Sequence, residues 1–219
     1  MKHITPLLAL SLLIAGCTTE RSRIVDTPTV ASYSRDYNGP TTAAAIGRIT
    51  NASPYLRGIF SDGQDRLGNQ AKTILQTHLT QTSRFDMLDR DNLDELALES
   101  SLSGEALALE GARIVFTGEV TEFGRRTTGD NWLFGILSRG RKQTAYSKVS
   151  LNVVNAQSGE VLYAVQGAGE FSLSDRESLG FGSQSGYDTT LNGKVLNLAI
   201  TNAVDELVAD LDSGVFQVQ

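Results

Sequence analysis

Hydrophobic positions recur at two spacings along this chain, and the changes between them mark its elements. Ala43 to Thr50 is an apolar run that predicts a strand, and Asn51–Phe60 follows as a loop. Leu67, Ala71, Ile74, Leu75 and Leu79 then share one face at helical spacing. Ser61 and Gln64 precede them with capping-box spacing, which sets the expected helix start. Phe85 to Leu88 predicts a short strand. Asp89 stands where it can cap a small helix that buries Leu93, Leu96 and Ala97, and a second small helix is expected over 104–110, ending at Gly111. Strict alternation returns at Ile114, Phe116, Gly118 and Val120, and again at Val149, Leu151 and Val153. Asn155–Gly159 turns the chain into Val161–Gln166, which predicts a hairpin. Leu196, Ile200, Ala203, Leu207 and Leu211 form the stripe of a last helix over about Asn192 to Asp212. This order predicts an α/β fold: a three-layer α/β sandwich with a mixed sheet. Segments 121–147 and 168–190 are too long for ordinary loops and are read as extensions.

The N-terminus has a different pattern. Lys2 precedes a mostly apolar run from Leu7 to Ile14, and Ile14-Ala15-Gly16 leads to Cys17. The run is too short to span a bilayer, which takes about 20 apolar residues. It reads as a bacterial lipoprotein signal over 1–16, with Cys17 as the lipidated residue, or as an ordinary secretory signal beside a chance cysteine. On the lipoprotein reading, Thr18 after the cysteine implies outer-membrane rather than inner-membrane retention, because sorted bacterial lipoproteins held at the inner membrane carry aspartate there. Residues 17–40 are polar and form a tether or an arm that lies on something else. The domain covers 41–214, and 215–219 is a tail.

Composition narrows the chemistry. Cys17 is the sole cysteine, so the fold holds no intrachain disulfide. Losing Lys2 with the signal takes the net charge from −6 to −7, and no dense basic stretch offers a nucleic-acid surface. The histidines are His3 and His78, so neither a zinc cluster nor a nucleophile–base pair assembles. His78 borders the apolar helix face and is expected as a satisfied packing residue. Asp89, Asp91 and Asp94 lack the glycine and distal glutamate of a calcium loop and suit a helix start. The chain is therefore read as a non-enzyme with no cofactor and no metal.

Three segments carry a resemblance. They are Arg84-Phe85-Asp86-Met87-Leu88-Asp89-Arg90, Gly111-Ala112-Arg113-Ile114-Val115-Phe116-Thr117-Gly118-Glu119-Val120, and Val149 to Val161 with its Ser158-Gly159-Glu160-Val161 turn. With Cys17 and Gly186-Tyr187 ahead of the last helix, they resemble the CsgG family, lipoproteins typified by the curli secretion channel. The resemblance implies subunits ringed on the periplasmic face of the outer membrane, each lending two β-hairpins to a common barrel. It also implies a constriction loop at Pro54-Tyr55-Leu56-Arg57-Gly58-Ile59-Phe60-Ser61. Tyr55 and Phe60 stand where the curli channel has rings of tyrosine and phenylalanine. Ile59 stands where it has asparagine, so the curli substrate does not carry over. These side chains are equally consistent with burial against a neighbouring element.

The extensions divide the functional reading. Arg125 and Arg126 are adjacent, as are Arg141 and Lys142 with Arg139 nearby, so a regular strand here turns charge to both faces. Only the tip from Trp132 to Leu137 is apolar. In the second extension Phe171, Leu173, Leu179 and Phe181 alternate with small or polar residues, around a polar tip at Asp175, Arg176 and Glu177. One reading is a homo-oligomeric lipoprotein that secretes or assembles a surface protein or polymer. The other is a periplasmic lipoprotein that docks on an envelope machine, a cell-wall synthase or an accessory export ring, with the basic residues facing an acidic partner or lipid headgroups.

Overall fold

The computed structural model describes residues 28–34, 36–55, 64–132, 137–175 and 189–218. Five strands form one mixed sheet: β1 (Thr42–Asn51), β2 (Phe85–Leu88), β3 (Ile114–Trp132), β4 (Leu137–Asn155) and β5 (Val161–Asp175). Their order is β2-β1-β3-β4-β5. β1 runs parallel to both β2 and β3, while β3, β4 and β5 are antiparallel. The mixed sheet expected from the strand and helix order is therefore present.

Among the described residues there are three α-helices: α1 (Arg66–Gln81), α2 (Leu93–Ser103) and α3 (Thr189–Asp212). No described helix is long and apolar enough to cross a membrane. α1 and α3 lie together on one face, where Leu67, Ala71, Leu75 and Leu79 meet Leu196, Ile200, Ala203 and Leu207 above Ala44, Phe116 and Val153. Each of these side chains is removed from water, and burying a leucine or isoleucine contributes roughly 1.5–3 kcal/mol. α3 comes unusually close to β5 because Gly167 and Gly169 have no side chains there. A Cβ built on Gly167 would stand 2.5 Å from Ala203 N, and one on Gly169 would stand 2.7 Å from Ala199 N. α3 ends where Gly214 takes φ +77°, a left-handed conformation that glycine adopts without strain.

Among the described residues no third layer forms. Parallel crossovers are right-handed, so α1 covers one face and the returning β2-to-β3 connection is directed past the other. Yet α2 buries none of its residues, against the expectation for Leu93, Leu96 and Ala97. The small helix expected over 104–110 is also absent. The chain there is irregular and exposed: six residues between Gly104 and Gly111 are too few to hold a helix without packing, although Ala, Leu and Glu favour one. The described residues thus form two layers with α2 standing clear of the sheet.

The ends of the chain are packed rather than loose where they are described. Val30 is 2% exposed and belongs to the core, and Ala31 N donates to Asp205 Oδ1 at 2.7 Å on α3. Phe216, beyond α3, stacks on Tyr163 with ring centroids 4.3 Å apart. Tyr163 donates its hydroxyl to Asp210, and burial together with that carboxylate pushes its pKa up to about 12. Arg84, 4% exposed at the start of β2, closes this end of the molecule. Its guanidinium donates to Asp212 Oδ1 at 3.2 Å and Oδ2 at 2.7 Å, to Thr82 O at 2.5 Å, and stacks 4.3 Å from the Tyr37 ring centre.

Candidate functional site

The loop expected as a collar leaves β1 at Asn51, at the C-terminal end of the strand. The Asn51 side chain builds the turn. Its Oδ1 accepts from Ser53 N at 3.0 Å and Ser53 Oγ at 2.6 Å, and its Nδ2 donates to Tyr55 O at 2.7 Å. An Asn-x-Ser-Pro run is a turn signal with this mechanism. The far end of the loop is held by Asp65. One carboxylate oxygen accepts from Asn51 N at 2.6 Å, and the other accepts from Gly68 N at 2.8 Å. Asp65 is therefore the cap of α1, and the helix starts at Arg66 rather than at the Ser61 capping box. Gly68 is required here, because a Cβ would stand 2.5 Å from both Asp65 Oδ2 and Ile49 O.

Of the three collar residues, Tyr55 is described. It is half-buried, with its ring 4.7 Å from that of Phe123 on β3 and tilted by 53°. The side chain thus leans on its own body where β3 leaves the sheet. Ile59 and Phe60 lie outside the described residues, as does Cys17. Phe123 and Asp65, which position this loop, were not singled out by sequence. Phe123 follows a register shift between Val120 and Glu122, which breaks the period-two count that led to Val120.

The strand extensions rise from the same end of the sheet. β1 last pairs with β3 at Asn51–Val120, and β3 then continues for twelve residues to Trp132. β3 and β4 stay paired up to Trp132–Leu137, and β5 follows β4 as far as Arg141–Asp175. The first extension is therefore a β-hairpin continuous with the body. The second has its outgoing strand, and its expected return at Leu179 and Phe181 lies outside the described residues. Near the base, Arg126 lies over the Tyr146 ring at 5.9 Å, and Lys148 pairs with Glu122 at 2.7 Å. Lys194 of α3 reaches the Phe171 ring at 5.3 Å.

The remaining chemical candidates resolve into structural roles. His78 is 3% exposed between α1 and α3, with Nε2 2.5 Å from Asn197 Oδ1 and 3.1 Å from Thr201 Oγ1, and Nδ1 3.2 Å from Gln81 Oε1. It is the satisfied packing histidine expected. Asp89 accepts from the Asn92 side chain at 2.6 Å and from Asp91 N at 2.9 Å, and these bonds hold its carboxyl below the usual range. Asp91 pairs with Lys72 at 2.5 Å. Asp89 thus organises the turn into α2, whose N-cap is Asn92 rather than Asp89, while Asp91 ties the turn to α1 and Asp94 lies in the first turn of the helix. Among the described residues, no group of acidic or histidine side chains could hold a metal.

A family model, curli production assembly/transport component CsgG, matches residues 39–218. A protein of Neisseria meningitidis serogroup B named "Putative lipoprotein NMB1126/NMB1164" is 56% identical over 211 residues. That alignment spans 96% of this chain and 95% of the relative. Among solved structures, the PelC dodecamer of Paraburkholderia phytofirmans aligns with 15% identity and a TM-score of 0.34, over 85% of this chain and 95% of that one. Lipoprotein GNA1162 of Neisseria meningitidis aligns with 13% identity and a TM-score of 0.37, over 78% of this chain and 100% of that one.

Proposed function

The chain belongs to the CsgG family, and we propose that it is a lipid-anchored, ring-forming subunit that secretes or assembles a protein or polymer at the outer membrane. Cys17 carries the acyl chains and holds the body on the periplasmic face, in keeping with the lipoprotein name of its 56%-identical relative. More than one chain makes such an anchor durable, at about 0.8 kcal/mol per buried methylene. Subunits ring a central opening. Tyr55, Ile59 and Phe60 narrow it at the level where the strand extensions begin. The step is passive passage: an unfolded chain or polymer meets apolar and aromatic edges that grip it loosely.

The observation that carries this reading is the overhang. Three strands leave the body together, and β3 runs twelve residues beyond its last pairing with β1. At about 3.3 Å per residue that is roughly 40 Å. A tilted strand needs about 9–11 residues to cross a bilayer core. A loop with no structural task would not stay in register with its neighbours over that distance.

A second reading is favoured by Arg125 and Arg126. An arginine facing lipid at the midplane costs roughly 2–4 kcal/mol, falling towards zero near the interface. On this reading the hairpins stay periplasmic and the protein is a docking module for another envelope machine. Electron-microscopy class averages and planar-bilayer recordings of the full-length, detergent-extracted protein separate the two. Rings with density through the micelle and steady conductance are expected. Protein that remains monomeric and never conducts would overturn the channel reading.

A further inference from the structure

The segment between β2 and β3 has the composition of a buried interface but none of the burial. Leu96, Leu98 and Leu102 on α2, and Leu107 and Leu109 beyond it, range from 38% to 72% exposed. Together they present on the order of 400 Å² of apolar surface, comparable with the largest patch of a typical monomer, which is often functional. Leu93, Leu96, Leu98 and Leu102 lie around the helix rather than along one stripe, and a helix apolar on several sides is one that neighbours enclose. The lobe is nevertheless a fixed feature. Lys72 pairs with Asp91 at one end, Arg90 donates to Glu110 O at the other, and Ser100 Oγ donates to Glu105 O between them.

Its charge says what covers it. Residues 91–110 contain Asp91, Asp94, Glu95, Glu99, Glu105 and Glu110 and no lysine or arginine. Two such lobes face to face would repel, so a symmetric lobe-on-lobe dimer is disfavoured. The opposite balance occurs once in the chain, on the extended hairpin. Its base carries Arg125 and Arg126, with Lys148 paired to Glu122, and Arg139, Arg141 and Lys142 follow further along the strands against Asp130. The lobe leaves from β2, one edge of the sheet, while the hairpin rises from β3 and β4 on the far side of β1. Both depart from the C-terminal end of the parallel strands. Two complementary surfaces displaced to different sides of one body satisfy each other between copies. Such head-to-tail contacts close into rings when the rotation allows.

We infer that the acidic leucine lobe, residues 91–110, docks on the basic base of the β3–β4 hairpin of the next copy. The leucines supply the apolar area, and the acids fix which neighbouring surface is taken. This rests on the ring reading above and names the surfaces that build the ring.

The test uses full-length lipidated protein in mild detergent, with mass measured by light scattering after size exclusion. Glu95→Lys with Glu99→Lys makes a lobe variant, and Arg125→Glu with Arg126→Glu makes a hairpin variant. Each alone is expected to raise the concentration needed for assembly by tenfold or more. Mixed, they are expected to assemble again, because each reversed surface then meets its opposite. Leu98→Ser with Leu102→Ser is expected to weaken assembly without changing the melting temperature, since both side chains are more than half exposed. Wild-type protein that is monomeric throughout overturns the ring reading and this inference together. An oligomeric wild type whose assembly ignores all three variants overturns this inference alone. Rescue of the lobe variant by wild type, but not by the hairpin variant, overturns it in favour of lobe-on-lobe contact.

Discussion

Replacing Gly167 by alanine tests whether the close seating of α3 on β5 holds the body together beneath the second extension. The new Cβ would lie 2.5 Å from Ala203 N, 2.7 Å from Ala203 Cβ, and closer still to the carbonyl oxygen of Ala199. All three obstacles are backbone or Cβ atoms, so no rotamer change relieves the clash. Ordinary van der Waals separation requires α3 to retreat by about 1 Å, and a radial gap of that size forfeits a quarter to a half of the dispersion well. The side chains that lose contact are among the best buried in the molecule: Leu196, Ala199, Ile200, Ala203 and Leu207. Overpacking usually costs 1–3 kcal/mol, and a backbone obstacle places this case near the top, at about 3 kcal/mol. For a domain of this size each kcal/mol moves the melting temperature by about 2–4 °C, so a drop of roughly 6–12 °C is expected. Thermal unfolding by circular dichroism measures it. Gly111→Ala is the control, because a Cβ there meets nothing within 4 Å. If Gly167→Ala melts within 2 °C of the Gly111→Ala protein, the contact is slack and the reasoning fails.

Arg84→Met removes the forked bond to Asp212, the bond to Thr82 O and the stacking on Tyr37. Because Asp212 keeps partial access to water, a loss of about 2–3 kcal/mol is expected by urea unfolding rather than the full cost of a stranded buried charge; a change under 0.5 kcal/mol would contradict this. Tyr163 has its pKa raised, so its stabilising bond to Asp210 is complete below about pH 10 and is lost as pH rises through about 12. Phenolate absorbance at 295 nm should show a tyrosine step near pH 12 that moves to lower pH in Asp210→Asn. Cys17→Ser is expected to abolish labelled-palmitate incorporation and to leave the protein unprocessed or released; a mutant that still labels and fractionates with outer membrane would refute lipidation at that residue.

Where sequence reading succeeded, a periodic stripe met a partner in the same chain. The faces of α1 and α3 and the alternating halves of β3, β4 and β5 were legible because each stripe is buried by another element of the molecule. It failed at α2 for the complementary reason. Spacing identifies an apolar face but not what covers it, and Leu96 and Ala97 stay exposed among the described residues. The helix start was misplaced because Ser61 and Gln64 satisfy a spacing rule, whereas Asp65 caps through a carboxylate that also reaches back to Asn51. Val30 was overlooked because a single apolar residue in a polar stretch has no period. Arg84 was visible in the segment that carries the family resemblance, but its clamp joins residues 128 positions apart, which no local pattern reveals.

The docking of Val30 and Ala31 against α3 shortens the leash. Under the lipid attachment proposed at Cys17, an arm free up to Thr41 would let the body wander about 80 Å from its anchor, at roughly 3.3 Å per residue. With residue 30 wedged in the core, the reach is set by the residues between Cys17 and Pro28, which span at most roughly 36 Å when fully extended. Copies anchored in one leaflet are then held in a layer less than half as deep, so they meet at roughly twice the local concentration.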